Sequence, residues 1–384
     1  MAVGIIVEYN PFHNGHLHHL LESKKHSGQQ YAVAVMSGNF VQRGMPACLD
    51  KYKRTEMALK NGVDIVLELP CIYATASAEY FARGAIDILN ATGIVKQISF
   101  GAENPDIDYL YKIATIFTRE TDIFKQTIKN SLNQGVSYPK AREIALTKVL
   151  PDINVKFSPN NILGIEYIKA LIRTNSAIKP IAIKRLGDHH STKLQGLASA
   201  SAIRAASGDV SPFMPTLAYD IFVNNIGSSL NNYSHIMQYI LKTKNATQLK
   251  EILDIEEGLE NAIISAASTN YYITDILDKI KTKRYTRTRL QRAIIHILLD
   301  IKKAHIEKFY KTVPYVRVLG FRKEAEHLLK EIKKNTELIT NLKAAQPNDL
   351  LKKEIYATDM YYLGQGTNIA RQVNIEYKKS LIII

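Results

Sequence analysis

The stretch that decides the fold is Gly4-Ile5-Ile6-Val7-Glu8-Tyr9-Asn10-Pro11-Phe12-His13-Asn14-Gly15-His16. Its apolar start predicts a buried strand over residues 3–9. Pro11 ends that strand, and Gly15 lets a ligand approach the backbone. The next residues, Leu17-His18-His19-Leu20-Leu21, can open a helix whose N–H groups face an anion. We therefore predict a phosphate site, with His13 just before the helix and His16 in its first turn.

The two histidines have more than one possible role. Their N–H groups can donate to phosphoryl oxygens and stabilise charge as a bond to pyrophosphate breaks. Two histidines three residues apart are also compatible with a metal site or a surface pair. The strand before them and the helix after them favour nucleotide binding. Because Cys48 and Cys71 are isolated and no Cys-x-x-Cys exists, we predict no metal held by protein side chains.

Composition predicts a globular protein of the reducing cytoplasm. A chain of 384 residues with 46% hydrophobic content is long enough for two or three domains with a buried core. Two cysteines in such a length suit a reducing compartment. The sequence shows neither a secretion signal nor an apolar run of about 18 residues, so we expect no membrane association.

The net charge of +14 is concentrated in the second half. Residues 279–334 contain 17 Lys/Arg against 5 Asp/Glu, and such a field attracts polyanions. A set of solvated helix faces is the alternative. One part of the segment places an aromatic ring among cations and hydroxyls, a mixture that suits RNA better than a membrane. The predicted RNA-binding residues are Lys281, Lys283, Arg284, Tyr285, Arg287, Arg289 and Arg292.

Strands and helices alternate over the first two hundred residues. After the first strand, further strands are predicted at residues 31–36, 64–69, 97–100 and 180–184, with helices between them. This order predicts an α/β fold with a parallel sheet covered on both faces, of the Rossmann type. Ligands of such sheets collect at the carboxyl ends of the strands. The candidate ends are residues 10–16, 37–44 and 101–104. Arg185 directly follows the fifth strand.

A late segment, Ala198-Ser199-Ala200-Ser201-Ala202-Ile203-Arg204, has two interpretations. Its hydroxyls can hydrogen-bond a phosphate, and the forked guanidinium group of Arg204 can bind the same phosphate. An N-capped surface helix is the alternative. Beyond Pro212 strand patterns largely vanish and helical periodicity dominates. We therefore predict a nucleotide domain over residues 1–210, a basic helical RNA-binding domain over 211–345, and a small extension over 346–384 that packs on the rest.

Several motifs together resemble one family. His13-Asn14-Gly15-His16 and Ser199-Ala200-Ser201-Ala202-Ile203-Arg204 are similar to the H-x-G-H and Ser-x-Ser-x-x-Arg elements of the nucleotidyltransferase superfamily. The long first motif resembles the bacterial tRNA(Met) cytidine acetate ligase family more closely. The same holds for Met36-Ser-Gly-Asn-Phe-Val-Gln-Arg-Gly44, Phe100-Gly-Ala-Glu-Asn104, Ser158-Pro-Asn-Asn-Ile-Leu-Gly164 and Lys283-Arg-Tyr-Thr286. This similarity runs along essentially the whole chain.

The resemblance implies an activity and its partners. Members of that family form acetyl-adenylate from acetate and ATP, then acetylate the wobble cytidine of elongator tRNA(Met) to N4-acetylcytidine. The implied catalytic residues are His13, His16 and Arg204. The implied ATP contacts are Ile6, Val7, Glu8, Tyr9, Asn10, Pro11, Phe12, His13, Asn14, Gly15, His16, Leu17, His18, His19, Gly101, one or both of Asn160 and Asn161, and Arg185. Mg²⁺ is expected to be held mainly by ATP phosphates, and no obligate protein partner is implied.

Three other functions are compatible with parts of the sequence. A nucleotidyltransferase acting on a small phosphorylated acceptor explains the sheet but gives the basic segment no task. A non-catalytic RNA-binding protein explains the charge but not the polar loops. A metal-dependent hydrolase would use His13, His16, His189 and His190, yet the sequence places no carboxylate at a convincing spacing from them.

Overall fold

A mainly parallel β-sheet organises the first half of the chain. The computed structural model describes residues 1–151, 158–185, 196–225, 227–282, 285–310, 313–346, 348–366 and 374–384. Strand β1 (Ala2–Val7) lies inside the sheet and pairs in parallel with β2 (Tyr31–Ser37) and β6 (Val95–Ala102). Strand β5 (Ile65–Leu69) extends the sheet beyond β2, and β7 (Lys179–Lys184) extends it beyond β6. The predicted α/β fold is confirmed.

Both faces of this sheet are covered, which explains why its strands are almost uninterrupted apolar runs. Strand β2 shows the arrangement, because its alternate residues enter two different cores. Val33 and Val35 pack into the core on one face, and Ala32 and Ala34 pack into the core on the other.

Several helices of the first half pack on those faces, α1 and α4 among them. The helices of this half are α1 (Asn14–Ser27), α2 (Lys51–Lys60), α3 (Cys71–Ala74), α4 (Ala78–Thr92), α5 (Ile107–Thr118), α6 (Asp122–Asn133), α7 (Tyr138–Val149), α8 (Pro159–Arg173) and α9 (Ala200–Ala205). A short antiparallel hairpin, β3 (Phe40–Val41) and β4 (Met45–Pro46), follows β2. Leu20 of α1 and Met57 of α2 are fully buried in the same core as Ile203 of α9.

The second half is largely helical, as predicted. Its helices are α10 (Thr216–Val223), α11 (Ser234–Thr243), α12 (Ala246–Lys250), α13 (Leu259–Thr269), α14 (Ile273–Ile280), α15 (Arg287–Leu298), α16 (Lys303–Phe309), α17 (Glu326–Lys333), α18 (Asp349–Gln365) and α19 (Ile375–Lys378). Short 3₁₀ turns lie at Ser211–Phe213, Leu230–Tyr233 and Lys323–Ala325. None of the helices in the described ranges is long and apolar enough to cross a membrane.

The second half also supplies strands to the sheet, and here the prediction was incomplete. Strand β8 (Val316–Phe321) pairs antiparallel with β5, and β9 (Leu338–Ile339) and β10 (Ile382–Ile383) pair in parallel with β8. The sheet order is therefore β10-β8-β5-β2-β1-β6-β7. The expectation that strand patterns largely vanish beyond residue 212 is wrong for these strands. A short apolar run such as that of β8 cannot be told from a buried helix segment by periodicity alone.

Candidate active site

The polar loops at the carboxyl ends of the parallel strands meet around one cavity. This cavity has a volume of about 650 Å³. Its lining includes His13 and His16 after β1, Gln42 in the hairpin after β2, Gly101 at the end of β6 and Arg185 after β7. The strand ends that the sequence singles out therefore lie around one cavity, the usual position for a ligand of such a sheet.

His13 and His16 lie where the sequence predicts, and their hydrogen bonds fix which ring nitrogen carries the proton. His13 is the N-cap of α1, and its Nδ1 accepts a hydrogen bond of 3.0 Å from the backbone N–H of Gly15. His16 is the third residue of the helix, and its Nδ1 accepts from the backbone N–H of His13 at 3.3 Å. The ring centroids are 3.8 Å apart. Because both Nδ1 atoms accept, the proton of each ring is on Nε2, which is a hydrogen-bond donor.

The turn between β1 and α1 is held from inside the protein. Tyr9 has a left-handed backbone with a φ of 47°, and its buried ring packs against Phe12 and His16 at centroid distances of 4.7 and 5.0 Å. The Asn10 side chain accepts a hydrogen bond of 2.7 Å from the backbone of Cys48. Tyr9, Phe12 and Asn10 therefore position the two histidines.

Arg204 approaches the same turn from α9. Its guanidinium donates to the main-chain oxygen of Asn10 and, at 3.3 Å, to the Ser201 hydroxyl. Burial lowers the pKa of Arg204 below its ordinary value, but an arginine stays charged at neutral pH. Ser199 caps α9 by accepting a hydrogen bond of 3.1 Å from Ala202. Ser199, Ser201 and Arg204 all line the cavity. The segment therefore forms an N-capped helix and also faces the cavity.

The opposite wall is built by β6, β7 and the start of α8. Arg185 donates a hydrogen bond of 3.1 Å to the Asn160 side chain, which in turn donates to Glu103 at 2.6 Å. A Cβ added to Gly101 would lie 2.9 Å from the Arg185 side chain, so only glycine leaves this space to the arginine. Asn160 lines the cavity. Asn161 is 3% exposed, and its side chain accepts from the backbone of Glu103, which gives it a supporting role for the loop.

Sequence reasoning overlooked Arg54 as a site residue. Arg54 of α2 is fully buried and donates to main-chain oxygens at the ends of both central strands. Its acceptors include Glu8 at 2.6 Å, Ser37 at 3.1 Å and Leu49 at 3.0 Å. It therefore joins the loops after β1 and β2. The position of Arg54 on the same helical face as Met57 and Ala58 was the available signal.

The cavity is strongly cationic. Arg43, Arg185, Arg204 and Arg292 line it, whereas Glu8 is the one carboxylate among its described lining residues. Burial, with contributions from the charges of Arg185 and His18, lowers the pKa of His19 to about 4, so that ring is neutral at physiological pH. In the described parts of the chain, no three His, Cys, Asp or Glu side chains cluster as metal ligands. His189 and His190 lie outside the described residues. The arrangement suits a polyphosphate.

The helical half forms part of the cavity wall. Thr286, Thr288 and Arg292 of the α15 region line the cavity together with the β3–β4 hairpin. Gly44 in that hairpin has a φ of 69°, and a Cβ added there would clash with the backbone nitrogen of Arg292. The two halves of the chain are therefore in direct backbone contact at the site.

The predicted RNA-binding residues divide into different environments. Arg287 pairs with Asp278, Arg289 with Glu256, and Arg292 with Asp254. Tyr285 is 8% exposed and lies under the Arg289 guanidinium at 5.2 Å, so its ring packs inside and presents no open face for stacking on a base. Lys281 is exposed. Lys283 and Arg284 lie outside the described residues.

Comparisons with known proteins identify the family and the fold of the chain. The sequence matches the family described as HIGH Nucleotidyl Transferase over residues 1–375. It is 44% identical to the tRNA(Met) cytidine acetate ligase of Caldicellulosiruptor saccharolyticus, over 100% of this chain and 98% of that protein. The fold matches the crystal structure of Thermotoga maritima TmcAL (apo, form I) with a TM-score of 0.93 and 31% identity, covering 100% of this chain and 99% of that one. It also matches TmcAL bound with alpha-thio ATP, with a TM-score of 0.90, 32% identity and the same coverage.

Proposed function

Since the chain belongs to the HIGH nucleotidyl transferase family and, within it, to the tRNA(Met) cytidine acetate ligases, we propose that it activates acetate with ATP and acetylates the wobble cytidine of elongator tRNA(Met). It is an ATP-dependent ligase, and its product is N4-acetylcytidine. A tRNA substrate favours action in the cytoplasm.

One observation carries the first half-reaction: the capping box of α1 turns two imidazole donors toward a cationic cavity. Because Nδ1 of each ring accepts a backbone N–H, Nε2 of each ring is the donor. His13 and His16 line the cavity together with Arg185 and Arg204. A cavity of about 650 Å³ lies within the size range of sites that enclose small ligands.

The residues perform this step by placement and charge. As the acetate oxygen attacks the α-phosphorus, the bond to pyrophosphate breaks and negative charge grows on the phosphate oxygens. Preorganised donors at His13, His16 and the start of α1 stabilise that charge, and no side chain needs to act as a covalent nucleophile. Hydrogen bonds within the protein hold both arginines at the cavity: Arg185 donates to Asn160, and Arg204 donates to the main chain of Asn10.

Mg²⁺ belongs to the proposal as a companion of ATP. Over the described residues the chain offers no cluster of three ligands, and Glu8 is the single carboxylate on the described cavity wall. This suits Mg²⁺ held by phosphate oxygens and water, its usual mode with nucleotides. When bound, the ion would neutralise part of the phosphate charge.

The second half-reaction needs the acceptor base beside the adenylate. Thr286, Thr288 and Arg292 bring the basic helical half to the cavity edge, which supports delivery of the tRNA from that side. The cytidine must leave its stack to reach the cavity. The proposal extends to acetate as the acyl donor and to a chain that works without an obligate protein partner.

The test is incubation with ATP, labelled acetate and total tRNA, followed by nucleoside mass spectrometry. We expect label in N4-acetylcytidine at the wobble position of elongator tRNA(Met), and acetate-dependent ATP–pyrophosphate exchange without tRNA. Arg204→Ala should lower the exchange rate and weaken ATP binding. Exchange driven by a small phosphorylated acceptor in place of acetate, or RNA binding with no exchange, would contradict the proposal.

A further inference from the structure

Glu8 occupies an unusual place in the cavity. It follows β1 directly, and its Oε1 accepts a hydrogen bond of 2.9 Å from the backbone N–H of Gln42. Its main-chain oxygen accepts from the buried Arg54 at 2.6 Å. The β3–β4 hairpin and helix α2 therefore hold the residue, and the half-buried Glu8 lines the cavity.

A carboxylate at this position opposes the binding of a triphosphate. Like charges a few ångströms apart repel, and the repulsion is stronger in a partly desolvated site. The surrounding charges limit this cost, because Glu8 interacts with Arg204 and Arg54. Burial lowers the pKa of both arginines, and the charge of Glu8 opposes that shift. Phosphate binding alone does not account for a carboxylate that needs such compensation.

The two histidines of the motif cannot remove a proton from an acceptor. Each Nδ1 accepts a backbone N–H, so the hydrogen of each neutral ring is on Nε2 and neither ring nitrogen is open to a further proton. His19 accepts a proton only well below neutral pH, because burial lowers its pKa to about 4. An ionised carboxylate, by contrast, is an acceptor only.

We propose that Glu8 accepts the proton that the cytidine amine loses during acetyl transfer. This proposal rests on the proposed function. The N4 nitrogen attacks the carbonyl carbon of acetyl-adenylate, and the bond from that carbon to the phosphate oxygen breaks. Its electron pair leaves with AMP, while one N4 proton moves to the Glu8 carboxylate and later to solvent. The products are N4-acetylcytidine, AMP and one proton.

The position of Glu8 agrees with an acceptor that arrives from the helical half. Gln42, which holds the carboxylate, belongs to the β3–β4 hairpin, and the same hairpin contacts α15 at Gly44. Thr288 of α15 and Glu8 line one cavity. The lone pair of the exocyclic amine is delocalised into the ring, so its N–H becomes acidic only as the new bond forms. A carboxylate can accept the amine proton at that stage of the reaction.

The experiment isolates the transfer step. Full-length protein is supplied with chemically prepared acetyl-adenylate and tRNA(Met) transcript, and N4-acetylcytidine is measured in single turnovers. Glu8→Gln keeps an oxygen for the Gln42 N–H but cannot take a proton, and we expect the rate to fall by about 10²-fold or more. Formate should partly restore the rate of Glu8→Ala. Glu22→Gln is the matched control, because Glu22 lies on α1 paired with Lys25 and His26, away from the cavity lining.

Three results would overturn the assignment. The first is a near-normal transfer rate in Glu8→Gln. The second is restoration of that rate by added Mg²⁺, which would make Glu8 a metal ligand. The third is an equal or larger loss of the transfer rate in His18→Gln, which would indicate that an imidazole accepts the proton. If the unmodified protein transfers no acetyl group from acetyl-adenylate, the proposed function itself fails, and this outcome is distinct from the other three.

Discussion

Tyr52 donates a hydrogen bond of 2.7 Å to Glu376, a residue 324 positions further along the chain. Glu376 also pairs with Lys51 and Arg317, and both cations contact Glu68, at 2.5 and 2.8 Å. All of these charged side chains are buried. Burial alone would raise the pKa of Glu376, but Lys51 and Arg317 outweigh it and hold that pKa well below its ordinary range. The C-terminal segment is thus tied to β5 and α2 by charge.

Glu354 is the protonated member of this cluster, and it predicts a pH dependence of stability. Burial, with the charge of Glu68, raises its pKa from 4.5 to about 8. Between these values the native state holds a proton that the unfolded chain releases. The contribution of Glu354 is therefore fully present below about pH 4.5 and is lost as pH rises through 8. From pH 6 to 8.5, we expect wild type to lose more unfolding free energy than Glu354→Gln, by about 2–3 kcal/mol.

Denaturant titrations of both proteins at the two pH values measure this difference. The substitution keeps an oxygen for the backbone N–H of Cys71, which Glu354 accepts at 2.6 Å. Asp209→Asn, at an exposed site outside the cluster, is the control. Parallel losses in wild type and Glu354→Gln would show that Glu354 is ionised in the native state.

The double role of His13, as a helix cap and as a donor, can be separated by substitution. His13→Asn keeps an acceptor near Nδ1 for the Gly15 N–H but has no Nε2–H. His13→Ala removes both groups. We expect both variants to lose ATP–pyrophosphate exchange by about 10²-fold or more, whereas only His13→Ala should lose about 1 kcal/mol of stability. Exchange assays and thermal unfolding measure the two effects, and near-normal exchange in His13→Asn would leave the residue as a cap only. His16→Ala should also lose exchange.

The ion pairs on α15 predict which basic residues bind tRNA. Arg287 and Arg289 are paired with Asp278 and Glu256, so they are partly neutralised before RNA arrives. Neutralising Lys281, Lys283 and Arg284 together should weaken tRNA binding and flatten its salt dependence, by roughly one unit of slope for each phosphate that the protein no longer neutralises. Neutralising Arg287 and Arg289 should have a smaller effect.

Filter binding at several salt concentrations measures both variants. Lys60→Ala, a surface lysine of α2 paired with Glu56, is the control. ATP–pyrophosphate exchange should survive in both variants. An unchanged slope in the triple variant would make the basic segment a solvated helix face.

The fragment 1–210 should not fold stably by itself. Without β8 it exposes the edge of β5, and it lacks Arg317 and Glu376, the partners of buried Glu68 and Lys51. Removing one partner of a buried ion pair costs about 3–5 kcal/mol. We expect rapid proteolysis and no tRNA acetylation, with recovery when residues 211–384 are co-expressed. A fragment that unfolds cooperatively and acetylates tRNA near the full-length rate would contradict the two-part mechanism.

Gly44 tests the contact between the halves. Its φ of 69° and the close approach of the Arg292 backbone leave no room for a side chain, because a main-chain obstacle cannot rotate away. Gly44→Ala should lower stability by about 1 kcal/mol or more and reduce acetyl transfer more than adenylate formation. Gly135 also has a positive φ but has open space around it, so Gly135→Ala measures the effect of backbone strain without a steric clash. If both substitutions lowered acetyl transfer equally, the contact between Gly44 and the Arg292 backbone would have no specific role in transfer.

The sequence predicted those structural features that depend on contacts between residues close together in the chain. The buried strand before His13, the helix after it and the three polar strand ends follow from apolar runs and turn residues near each other in sequence. Strands β8 and β10 did not follow, because their pairing is defined by partners far along the chain. The cluster of Lys51, Glu68 and Glu376 was equally hidden, since no spacing rule joins such distant charges.

The pairing of β10 with β8 has a consequence for synthesis on the ribosome. Backbone hydrogen bonds join Ile384 to Phe321 and to Lys323, at 3.2 and 2.9 Å. A nascent chain that lacks residues 374–384 therefore has an open sheet edge and a buried lysine without one of its acids. The sheet edge at β8 and the charges around Lys51 are therefore completed only after these residues have left the exit tunnel.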